Sequence, residues 1–331
     1  MVKKVAINGF GRIGRMVFKA GFDDPGIEFV ALNDLTDTKT LAYLLKYDSV
    51  HGKFNGTVSC EENAIIVNGK KIPVFAKKDP TELPWKKTGA EVVVESTGFF
   101  RSRAGAQKHI DAGAKKVIIT APAKDKVDFV VVKGVNEDKY DPKKHNIISN
   151  ASCTTNCLAP IAKVLEDNLG IVSAFMTTVH SYTGDQKLLD APHSDLRRAR
   201  SAALSMIPTS TGATKAVSEV IPTLKGKMDG IAVRVPTPDG SFTDFVCNVK
   251  KATTTEEVNK LFKNVSRHHM KGVLEYSEDP LVSRDIIDNP ASSIFDANLT
   301  KVINGKLLKI GAWYDNEWGY SCRVIDIIKM L

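Results

Sequence analysis

A glycine-rich turn near the N-terminus most constrains the fold of this chain. The segment from Val2 to Asn8 alternates apolar residues with lysines or small residues, which is typical of a strand, and it runs into Gly9-Phe10-Gly11-Arg12-Ile13-Gly14. The residues from Arg15 to Phe22 have helical spacing, so the glycines lie between a strand and a helix. In a dinucleotide-binding turn the first glycine makes the turn, the second lets the backbone approach a pyrophosphate, and the third lets the helix pack on the strand. We therefore predict that this turn binds a dinucleotide.

An acidic residue completes this pattern. A second strand, spanning 28–32, ends at Asn33-Asp34, and Asp34 follows the third glycine at the interval of about 20 residues that such folds use. A carboxylate at this place accepts hydrogen bonds from the ribose hydroxyls and repels a 2′-phosphate, so Asp34 favours NAD over NADP. The alternative is a glycine-rich turn without a ligand. The combination of strand, helix, strand and acid argues against it.

Strands and helices alternate through the first 150 residues. Helical patterns cover 38–45 and 103–112, strand patterns cover 91–95, 116–119, 128–133 and 146–149, and Asn68-Gly69 marks a hairpin turn. This alternation predicts a doubly wound parallel sheet of the Rossmann type, with ligands at the carboxyl ends of its strands. We expect the glycine turn, Asp34, the residues 96–98 and Thr120 to line one crevice there.

The pattern changes after residue 150. Long strand-like runs cover 171–178, 230–235, 241–250 and 306–313, and few helices separate them. This predicts an α+β domain with a mostly antiparallel sheet and helices on one face. At 331 residues the chain suits two domains. We expect an α/β cofactor domain at 1–150 and a catalytic domain at 151–316, with a C-terminal helix at 317–331 packing back on the first domain.

A cysteine stands where a strand feeds a helix. The segment Ser152-Cys153-Thr154-Thr155-Asn156-Cys157 follows a strand-like run at 146–150 and precedes a helical run that begins near Leu158. At a helix N-terminus the dipole and the free N–H groups lower the pKa of a thiol, so we expect Cys153 to favour the thiolate. Such a cysteine is a candidate covalent nucleophile. The alternative is a buried, inert cysteine.

A histidine follows one of the long strands. The run at 171–178 continues into Val179-His180-Ser181-Tyr182-Thr183, and a strand end beside a helix N-terminus is a natural meeting place for a cysteine and a histidine. An imidazole tuned near neutrality would activate the thiol and then move protons as base and acid. The alternative is a structural histidine, since the chain contains seven.

Three groups in the second half are candidates for binding anions. Thr209-Ser210-Thr211-Gly212 precedes a helix and offers hydroxyls and backbone N–H groups, although a simple helix cap has the same pattern. Arg234 lies among apolar strand residues, where a buried guanidinium needs an anionic partner. Arg198 belongs to a long polar loop that spans 182–200, which is either functional or a subunit contact.

Composition excludes several classes of protein. The net charge is +8, of which residues 1–150 carry +7. A basic half attracts nucleotides or nucleic acid, but no aromatic residues are interleaved to stack bases. No apolar run reaches the roughly 20 residues of a membrane span, and the strand at the N-terminus leaves no room for a signal peptide. Five cysteines without framework spacing favour a reducing cytoplasm, and no cluster of metal ligands is expected.

From end to end the chain resembles the phosphorylating glyceraldehyde-3-phosphate dehydrogenases. The matching segments cover the glycine turn, the cysteine segment, the histidine segment, part of the polar loop, the second anion group and a region near the C-terminus: 7–14, 151–157, 179–183, 195–200, 211–213 and 313–319. The resemblance implies oxidation of D-glyceraldehyde 3-phosphate to 1,3-bisphosphoglycerate with NAD and inorganic phosphate, in glycolysis or gluconeogenesis. It also implies a cytoplasmic homotetramer.

The same resemblance assigns roles to residues. Cys153 is the nucleophile that forms a hemithioacetal and then a thioester, and His180 is its base. The residues implied to bind NAD are Gly9, Gly11, Arg12, Ile13, Gly14, Asp34, Lys78, Thr120 and Asn316, the last at the nicotinamide amide. Lys78 stands where the family often has arginine, at the adenosine end. The residues implied to form one site for the substrate phosphate and one for inorganic phosphate are Ser152, Thr154, Thr183, Arg198, Thr211, Gly212 and Arg234.

Two alternative functions stay open at this level. A sister dehydrogenase that acts on erythrose 4-phosphate would share the same chemistry, and its independence from inorganic phosphate would distinguish it. A nucleotide-binding or RNA-binding module with idle catalytic residues would belong to a different class. The intact pair of Cys153 and His180 argues against that module. No membrane partner and no obligate nucleic acid are expected.

Overall fold

The computed structural model describes residues 2–331, which form two compact units. The first unit contains the chain up to Val131, Asp138–Ala151 and Ser321–Leu331, and the second contains Val132–Glu137 and Ser152–Tyr320. The division expected from the sequence differs at two places. Val132–Glu137 groups with the second unit, and the C-terminal helix joins the first unit only from Ser321 onward.

The first unit is built on a nine-stranded sheet. Its elements are β1 Lys3–Asn8, α1 Arg12–Gly21, β2 Ile27–Asn33, α2 Thr38–Lys46, β3 Tyr47–Asp48, β4 Gly52–Lys53, β5 Val58–Glu61, β6 Ala64–Val67, β7 Lys70–Phe75, α3 Trp85–Thr88, β8 Val92–Glu95, α4 Arg103–Asp111, β9 Lys116–Ile119, β10 Phe129–Val130 and β11 Ile147–Ser149. The strand order is β10-β11-β9-β8-β1-β2-β7-β6-β5, and the short pair β3-β4 stands apart. All pairs from β10 to β7 are parallel, whereas β5, β6 and β7 pair antiparallel.

The strand order reverses at the centre of this sheet. From β1 the chain proceeds to β2 on one side, and it later returns to place β8 on the other side of β1. Every residue of β8 is buried, because the central strands of a parallel sheet are covered on both faces. The doubly wound sheet is thus confirmed, and the reversal creates a crevice at the carboxyl ends of β1 and β8.

Two features of this sheet can be compared with the sequence-based expectation. Asn68 and Gly69 both have positive φ angles, 48° and 81°, so they form the tight turn that joins β6 to β7 as expected. The strand expected over 128–133 is only Phe129–Val130. It is shorter because the chain leaves this sheet after Val131 and passes into the second unit at Val132.

The second unit holds a seven-stranded sheet. Its elements are α5 Cys153–Asn168, β12 Ile171–Ser181, β13 Ile207–Ser210, α6 Ala213–Val220, β14 Met228–Val235, β15 Ser241–Val249, α7 Thr255–Arg267, β16 Leu274–Ser277, β17 Ser293–Ile303 and β18 Leu307–Tyr314. The order is β13-β14-β12-β15-β18-β17-β16, with antiparallel pairs except for β12 with β14 and β16 with β17. The mostly antiparallel sheet is thus confirmed.

Three strands of this sheet have no counterpart in the sequence-based prediction: β13, β16 and β17. The strand β17 does not alternate, since its first five residues are all buried, and its register with β18 shifts between Asp296 and Lys301. The strands β13 and β16 have four residues each, too few for a periodic signal.

The last helix, α8 Trp318–Met330, contributes its residues from Ser321 to the first unit. There Lys329 forms an ion pair with Asp24 at 2.8 Å. No helix within residues 2–331 is long and apolar enough to cross a membrane.

Candidate active site

The glycine turn of the first unit has the geometry that a dinucleotide requires. Gly9 has a φ of +91°, and a Cβ atom there would lie 2.6 Å from the backbone nitrogen of Thr97. A Cβ atom on Gly14 would lie 2.1 Å from the carbonyl oxygen of Gly9, so this glycine permits helix α1 to pack on the turn. Gly11, by contrast, faces open space, with no heavy atom within 4 Å of a Cβ position. That opening is where a pyrophosphate approaches in such folds.

A cavity of about 610 Å³ opens beside this turn. Its volume lies in the usual range for small-molecule sites. The residues that line it are Asn8, Gly9, Gly11, Asn33, Asp34, Leu35, Lys77, Lys78, Ser96, Thr97, Phe99 and Phe100. The cavity thus contains the expected Gly9, Gly11, Asp34 and Lys78. The chemistry of this lining, with an open glycine backbone, a carboxylate and lysines, fits a dinucleotide.

Asp34 is hydrogen-bonded to the glycine turn. Its Oδ2 accepts the backbone N–H of Phe10 at 2.8 Å, and its Oδ1 accepts the N–H of Thr36 at 3.0 Å. The side chain is half-buried at the cavity wall. The carboxylate is therefore fixed in position while it still faces the cavity.

Other residues expected in this crevice lie outside its lining. Thr120 donates its hydroxyl to the carbonyl oxygen of Glu95 at 3.1 Å, and Arg12 pairs with Asp48 at 2.9 Å. Gly14 packs inside the turn, and Ile13 is half-buried next to it. Thr120 does not line this cavity, since its hydroxyl is bound to the sheet, and the single crevice that includes Thr120 stays a prediction.

In the second unit, the sulfur of Cys153 lies 3.4 Å from Nε2 of His180. Helix α5 begins at Cys153, because the hydroxyl of Ser152 caps it by accepting the N–H of Thr155 at 3.0 Å. His180 lies near the end of strand β12, and its Nδ1 lies 2.8 Å from the carbonyl oxygen of Ser181. A carbonyl only accepts, so Nδ1 carries the proton and Nε2 presents a lone pair to the thiol.

The electrostatic environment differs from the expected one. Burial raises the pKa of the Cys153 thiol above its ordinary value, although Arg234 and the N–H of Thr154 act in the opposite direction. Burial, together with the charges of Arg234 and Arg198, lowers the pKa of His180 to about 3. The prediction of a resting thiolate, and of an imidazole tuned near neutrality, is therefore wrong for this structure. Here a thiol faces a neutral imidazole, because desolvation of the thiol outweighs the effects of Arg234 and of the N–H of Thr154.

Arg234 is positioned against this pair. It is the direct partner of His180 in the parallel register of β12 and β14, and its Nη1 lies 3.2 Å from both the carbonyl oxygen of Ser181 and the hydroxyl of Thr183. Its Nε is buried and has no hydrogen-bond partner within the described part of the chain, residues 2–331. No carboxylate among residues 2–331 pairs with Arg234, so the anionic partner expected from the sequence is not supplied by the described chain. A guanidinium in this state is prepared for an external anion.

Arg198 is bound differently. Its Nη1 donates to Asp185 at 2.7 Å, its Nε donates to the hydroxyl of Thr209 at 3.0 Å, and Asp195 lies 3.6 Å away. Two carboxylates therefore offset its charge. Arg198 is still close enough to act electrostatically on His180 and Arg234.

The remaining candidates for anion binding are held by local contacts. The hydroxyl of Thr211 accepts the N–H of Ala213 at 3.2 Å at the start of α6, and the exposed Gly212 leaves open space beside its backbone. Thr154 is buried, and its hydroxyl lies 2.9 Å from the hydroxyl of Tyr314. Ser152, as described above, caps helix α5.

Sequence reasoning missed Tyr314 as a member of this site. Its hydroxyl contacts Thr178 at 2.8 Å in addition to Thr154, and its ring meets the imidazole of His180 edge to face at 5.9 Å. The residue belongs to a matching segment, but its distance in sequence from Cys153 and His180 left no local signal. It links the start of α5 to strand β12.

Asn316 is oriented by two hydroxyls of the same unit. Ser181 and Ser241 donate to its Oδ1 at 2.8 Å and 2.6 Å. The amide is buried, and its Nδ2 donates to no group among residues 2–331. The side chain therefore presents a donor of fixed orientation.

Comparison with known proteins agrees with this geometry. Residues 3–103 match the family model described as "Glyceraldehyde 3-phosphate dehydrogenase, NAD binding domain", and residues 152–316 match "Glyceraldehyde 3-phosphate dehydrogenase, C-terminal domain".

Relatives match almost the whole chain. The glyceraldehyde-3-phosphate dehydrogenase of Geobacillus stearothermophilus is 60% identical over 99% of this chain and 97% of its own length. That of Thermotoga maritima is 61% identical over 99% and 98%, and glyceraldehyde-3-phosphate dehydrogenase 1 of Bacillus subtilis is 59% identical over 99% and 97%. With two family models and full-length relatives at this identity, the chain belongs to the glyceraldehyde-3-phosphate dehydrogenase family.

Proposed function

We propose that this chain oxidises glyceraldehyde 3-phosphate to 1,3-bisphosphoglycerate, with NAD as oxidant and inorganic phosphate as acyl acceptor. The observation that carries the proposal is the position of the Cys153 sulfur, which lies 3.4 Å from the unprotonated Nε2 of His180. Beside this pair is the guanidinium of Arg234, which has no anionic partner among residues 2–331. A nucleophile, a base and an unpaired cation in one place suit a phosphorylated carbonyl substrate.

The first step is addition of Cys153 to the aldehyde. The thiol proton passes to Nε2 of His180 as the sulfur–carbon bond forms, and the imidazolium then gives that proton to the developing alkoxide. The product is a hemithioacetal. Because the pKa of the thiol is raised and that of His180 is about 3, the proton moves during the attack rather than before it. His180 therefore acts as a general base and not as one half of a resting ion pair.

The second step is oxidation, and His180 receives the hydroxyl proton of the hemithioacetal as a thioester forms on Cys153. When bound, NAD supplies the hydride acceptor that this oxidation needs. We assign its adenosine end to Asp34 and Lys78, which line the cavity together with Gly9 and Gly11. We assign its pyrophosphate to the turn formed by Gly9, Gly11, Arg12, Ile13 and Gly14, and we also assign Thr120, which directly follows strand β9, to the cofactor. Asn316 would meet the nicotinamide amide with its free Nδ2 donor.

The last step transfers the acyl group. Inorganic phosphate attacks the thioester carbon, the bond to sulfur breaks, and Cys153 recovers its proton from His180. Arg234, with Thr183, is suited to the phosphate of the substrate, because no carboxylate of the described residues pairs with it. Arg198, with Thr211, Gly212, Ser152 and Thr154, is suited to inorganic phosphate, because Asp185 and Asp195 weaken its hold on an ion that must enter and leave.

The assembled enzyme is proposed to be a cytoplasmic homotetramer. The loop between β12 and β13 exposes large apolar side chains, each between 71% and 82% exposed in the single chain: Leu188, Leu189, Leu196, Leu204 and Met206. Such a group of exposed residues marks a contact with another protein surface. No disulfide joins cysteines among residues 2–331, as a reducing compartment favours. Light scattering after size-exclusion chromatography gives the mass of the assembly, and a monomeric mass would contradict the tetramer.

One assay tests the central proposal. Formation of NADH is followed with glyceraldehyde 3-phosphate in the presence and the absence of inorganic phosphate, and turnover is expected only when phosphate is present. Equal turnover without phosphate would indicate hydrolysis of the acyl enzyme, and a preference for erythrose 4-phosphate would indicate the sister activity. Binding of RNA that is not displaced by NAD, without any turnover, would favour the nucleic-acid module.

A further inference from the structure

A line of buried hydrogen bonds runs beneath the cofactor cavity of the first unit. We call it the Trp85–Lys77 chain, and its members in order are the side chains of Trp85, His109, Glu95, Asn8 and Asn33 and the backbone of Lys77. The five side chains are between 0% and 4% exposed. Its last three members line the cavity, whereas the first three do not.

The proton positions in the first half of this chain follow from one residue. The indole Nε1 of Trp85 only donates, and it lies 3.0 Å from Nδ1 of His109. Nδ1 must therefore accept, which places the imidazole proton on Nε2. That proton is donated to Oε2 of Glu95 at 2.9 Å. His109 is thus a relay with one defined tautomer.

In the second half of this chain the hydrogen bonds are donated toward Glu95 from the other side. Asn8 donates its Nδ2 to the same Oε2 of Glu95 at 2.6 Å, and its Oδ1 accepts Nδ2 of Asn33 at 2.7 Å. The Oδ1 of Asn33 accepts the backbone N–H of Lys77 at 2.9 Å, and its Nδ2 also donates to the carbonyl oxygen of Lys77 at 3.0 Å. Each amide therefore has only one orientation that satisfies its neighbours.

Glu95 is the centre where both halves meet. Its Oε2 accepts from both halves of the chain, and its Oε1 accepts the backbone N–H of Thr97 at 2.8 Å and also the hydroxyl of Thr97. Glu95, Asn8 and Asn33 end the strands β8, β1 and β2. One buried carboxylate thereby fixes three strand ends and the wall of the cavity at Thr97.

We propose that the Trp85–Lys77 chain is the positioning device for the adenosine end of the dinucleotide, so that Trp85 and His109 act on affinity through Asn33 and Lys77 without contacting the ligand. The inference rests on the dinucleotide site proposed above. Its physical basis is that a loop held by directional buried bonds does not need to be ordered when the ligand binds. Loss of one link leaves a buried polar group unsatisfied and releases the Lys77–Lys78 segment.

Two variants test this proposal, with ADP-ribose as the probe because it keeps the adenosine and the pyrophosphate of the cofactor and lacks the nicotinamide. In Asn33→Asp the carboxylate can no longer donate to Asn8 or to the carbonyl oxygen of Lys77. In Trp85→Phe an aromatic ring stays, but the indole N–H is lost together with part of the buried side-chain volume. Calorimetry is expected to show the dissociation constant of ADP-ribose rising about ten-fold in Asn33→Asp and several-fold in Trp85→Phe.

The matched control is Val117→Ala, a cavity-forming change in a separate cluster of the same unit's core. It is expected to lower the melting temperature while it leaves the ADP-ribose constant near that of the unmodified enzyme. Hydrogen exchange at the Lys77 amide is expected to quicken in Trp85→Phe and not in Val117→Ala. If the control weakens ADP-ribose as much as the two variants do, or if Lys77 exchanges at the same rate in all three, the proposal is overturned. Binding by the unmodified enzyme is measured first, and its failure would instead contradict the dinucleotide site itself.

Discussion

Nη1 of Arg234 lies 3.3 Å from Nδ1 of His180, and the two residues face each other in the register of β12 and β14. Since Nδ1 gives its proton to the carbonyl oxygen of Ser181, both nitrogens are donors and no hydrogen bond joins them. The positive charge of the guanidinium instead disfavours a second proton on the imidazole ring of His180. Arg234 therefore keeps Nε2 of His180 free to accept a proton from Cys153.

This arrangement predicts how Cys153 responds to substitution. Cys153→Ser is expected to abolish dehydrogenase activity, because a hydroxyl is far less acidic than a thiol, while calorimetry shows NAD binding nearly unchanged. Cys60→Ser, in strand β5 of the other unit, is the control and should retain activity. Normal turnover in Cys153→Ser would contradict a covalent intermediate on sulfur.

Alkylation by iodoacetate is expected to label Cys153 ahead of the other cysteines, because Nε2 of His180 lies 3.4 Å from its sulfur and takes the thiol proton as the sulfur reacts. Burial raises the pKa of Cys157 and of Cys247 to about 12, so these two should stay unlabelled in the folded protein. Because the pKa of Cys153 is itself raised, its labelling rate should increase with pH above neutrality. Peptide mass spectrometry over a pH series measures this, and a rate independent of pH would indicate a resting thiolate.

The stability of the protein should depend on pH through His180. Its pKa is about 3 in the folded state and about 6.5 in an unfolded chain, so the unfolded state binds more protons between these values. The contribution of His180 to the free energy of unfolding is therefore fully present above pH 6.5. It decreases as the pH falls, by about 2 kcal/mol at pH 5. His180→Asn should lack this loss. Urea unfolding of both proteins at pH 7 and pH 5 is the measurement, and parallel losses would place the pKa of His180 near its ordinary value.

The two arginines should have separable kinetic effects. Arg234→Leu is expected to cost most with glyceraldehyde 3-phosphate, by about 2–5 kcal/mol in transition-state stabilisation, and little with unphosphorylated glyceraldehyde. Arg198→Leu is expected to raise the KM for inorganic phosphate and to spare the acylation burst. Each variant serves as the control of the other. Equal losses on both aldehydes for Arg234→Leu would mean that this arginine is structural.

Cofactor choice should depend on Asp34. Asp34→Ala removes the carboxylate that would repel a 2′-phosphate, so kcat/KM with NADP should rise relative to that with NAD. Activity with NAD should also fall, because the backbone of Phe10 loses the acceptor that fixes the turn. Glu62→Ala, an equal change of charge at an exposed position, is the control. Comparable kcat/KM for both cofactors in the unmodified enzyme would contradict the role of Asp34.

The sequence predicted those features that have a local cause. The glycine turn, the junction of strand and helix at Cys153 and the hairpin at Asn68 each follow from a few adjacent residues, although helix α5 begins earlier than the helical run expected from Leu158. The features that it did not predict depend on residues far apart in the chain. The contact between Tyr314 and Thr154 exists only because the folded sheet brings these distant residues together. Strand β17 is recognised only by its pairing with β18. The expectations of a thiolate at Cys153 and of a near-neutral pKa at His180 were wrong for the same reason, because burial depends on packing that no local pattern contains.

Adjacent residues of one strand serve different parts of the second unit. In β12, His180 contacts the sulfur of Cys153, whereas the next side chain, that of Ser181, contacts Asn316. Successive side chains of a strand alternate between its faces, so inserting or deleting a single residue upstream would exchange these two positions and disable both at once. We therefore expect related chains to have no insertions or deletions within β12, and to tolerate them in the loop that follows this strand. Strand β12 therefore tolerates no error in its length, because a shift of one residue moves both side chains to the wrong face.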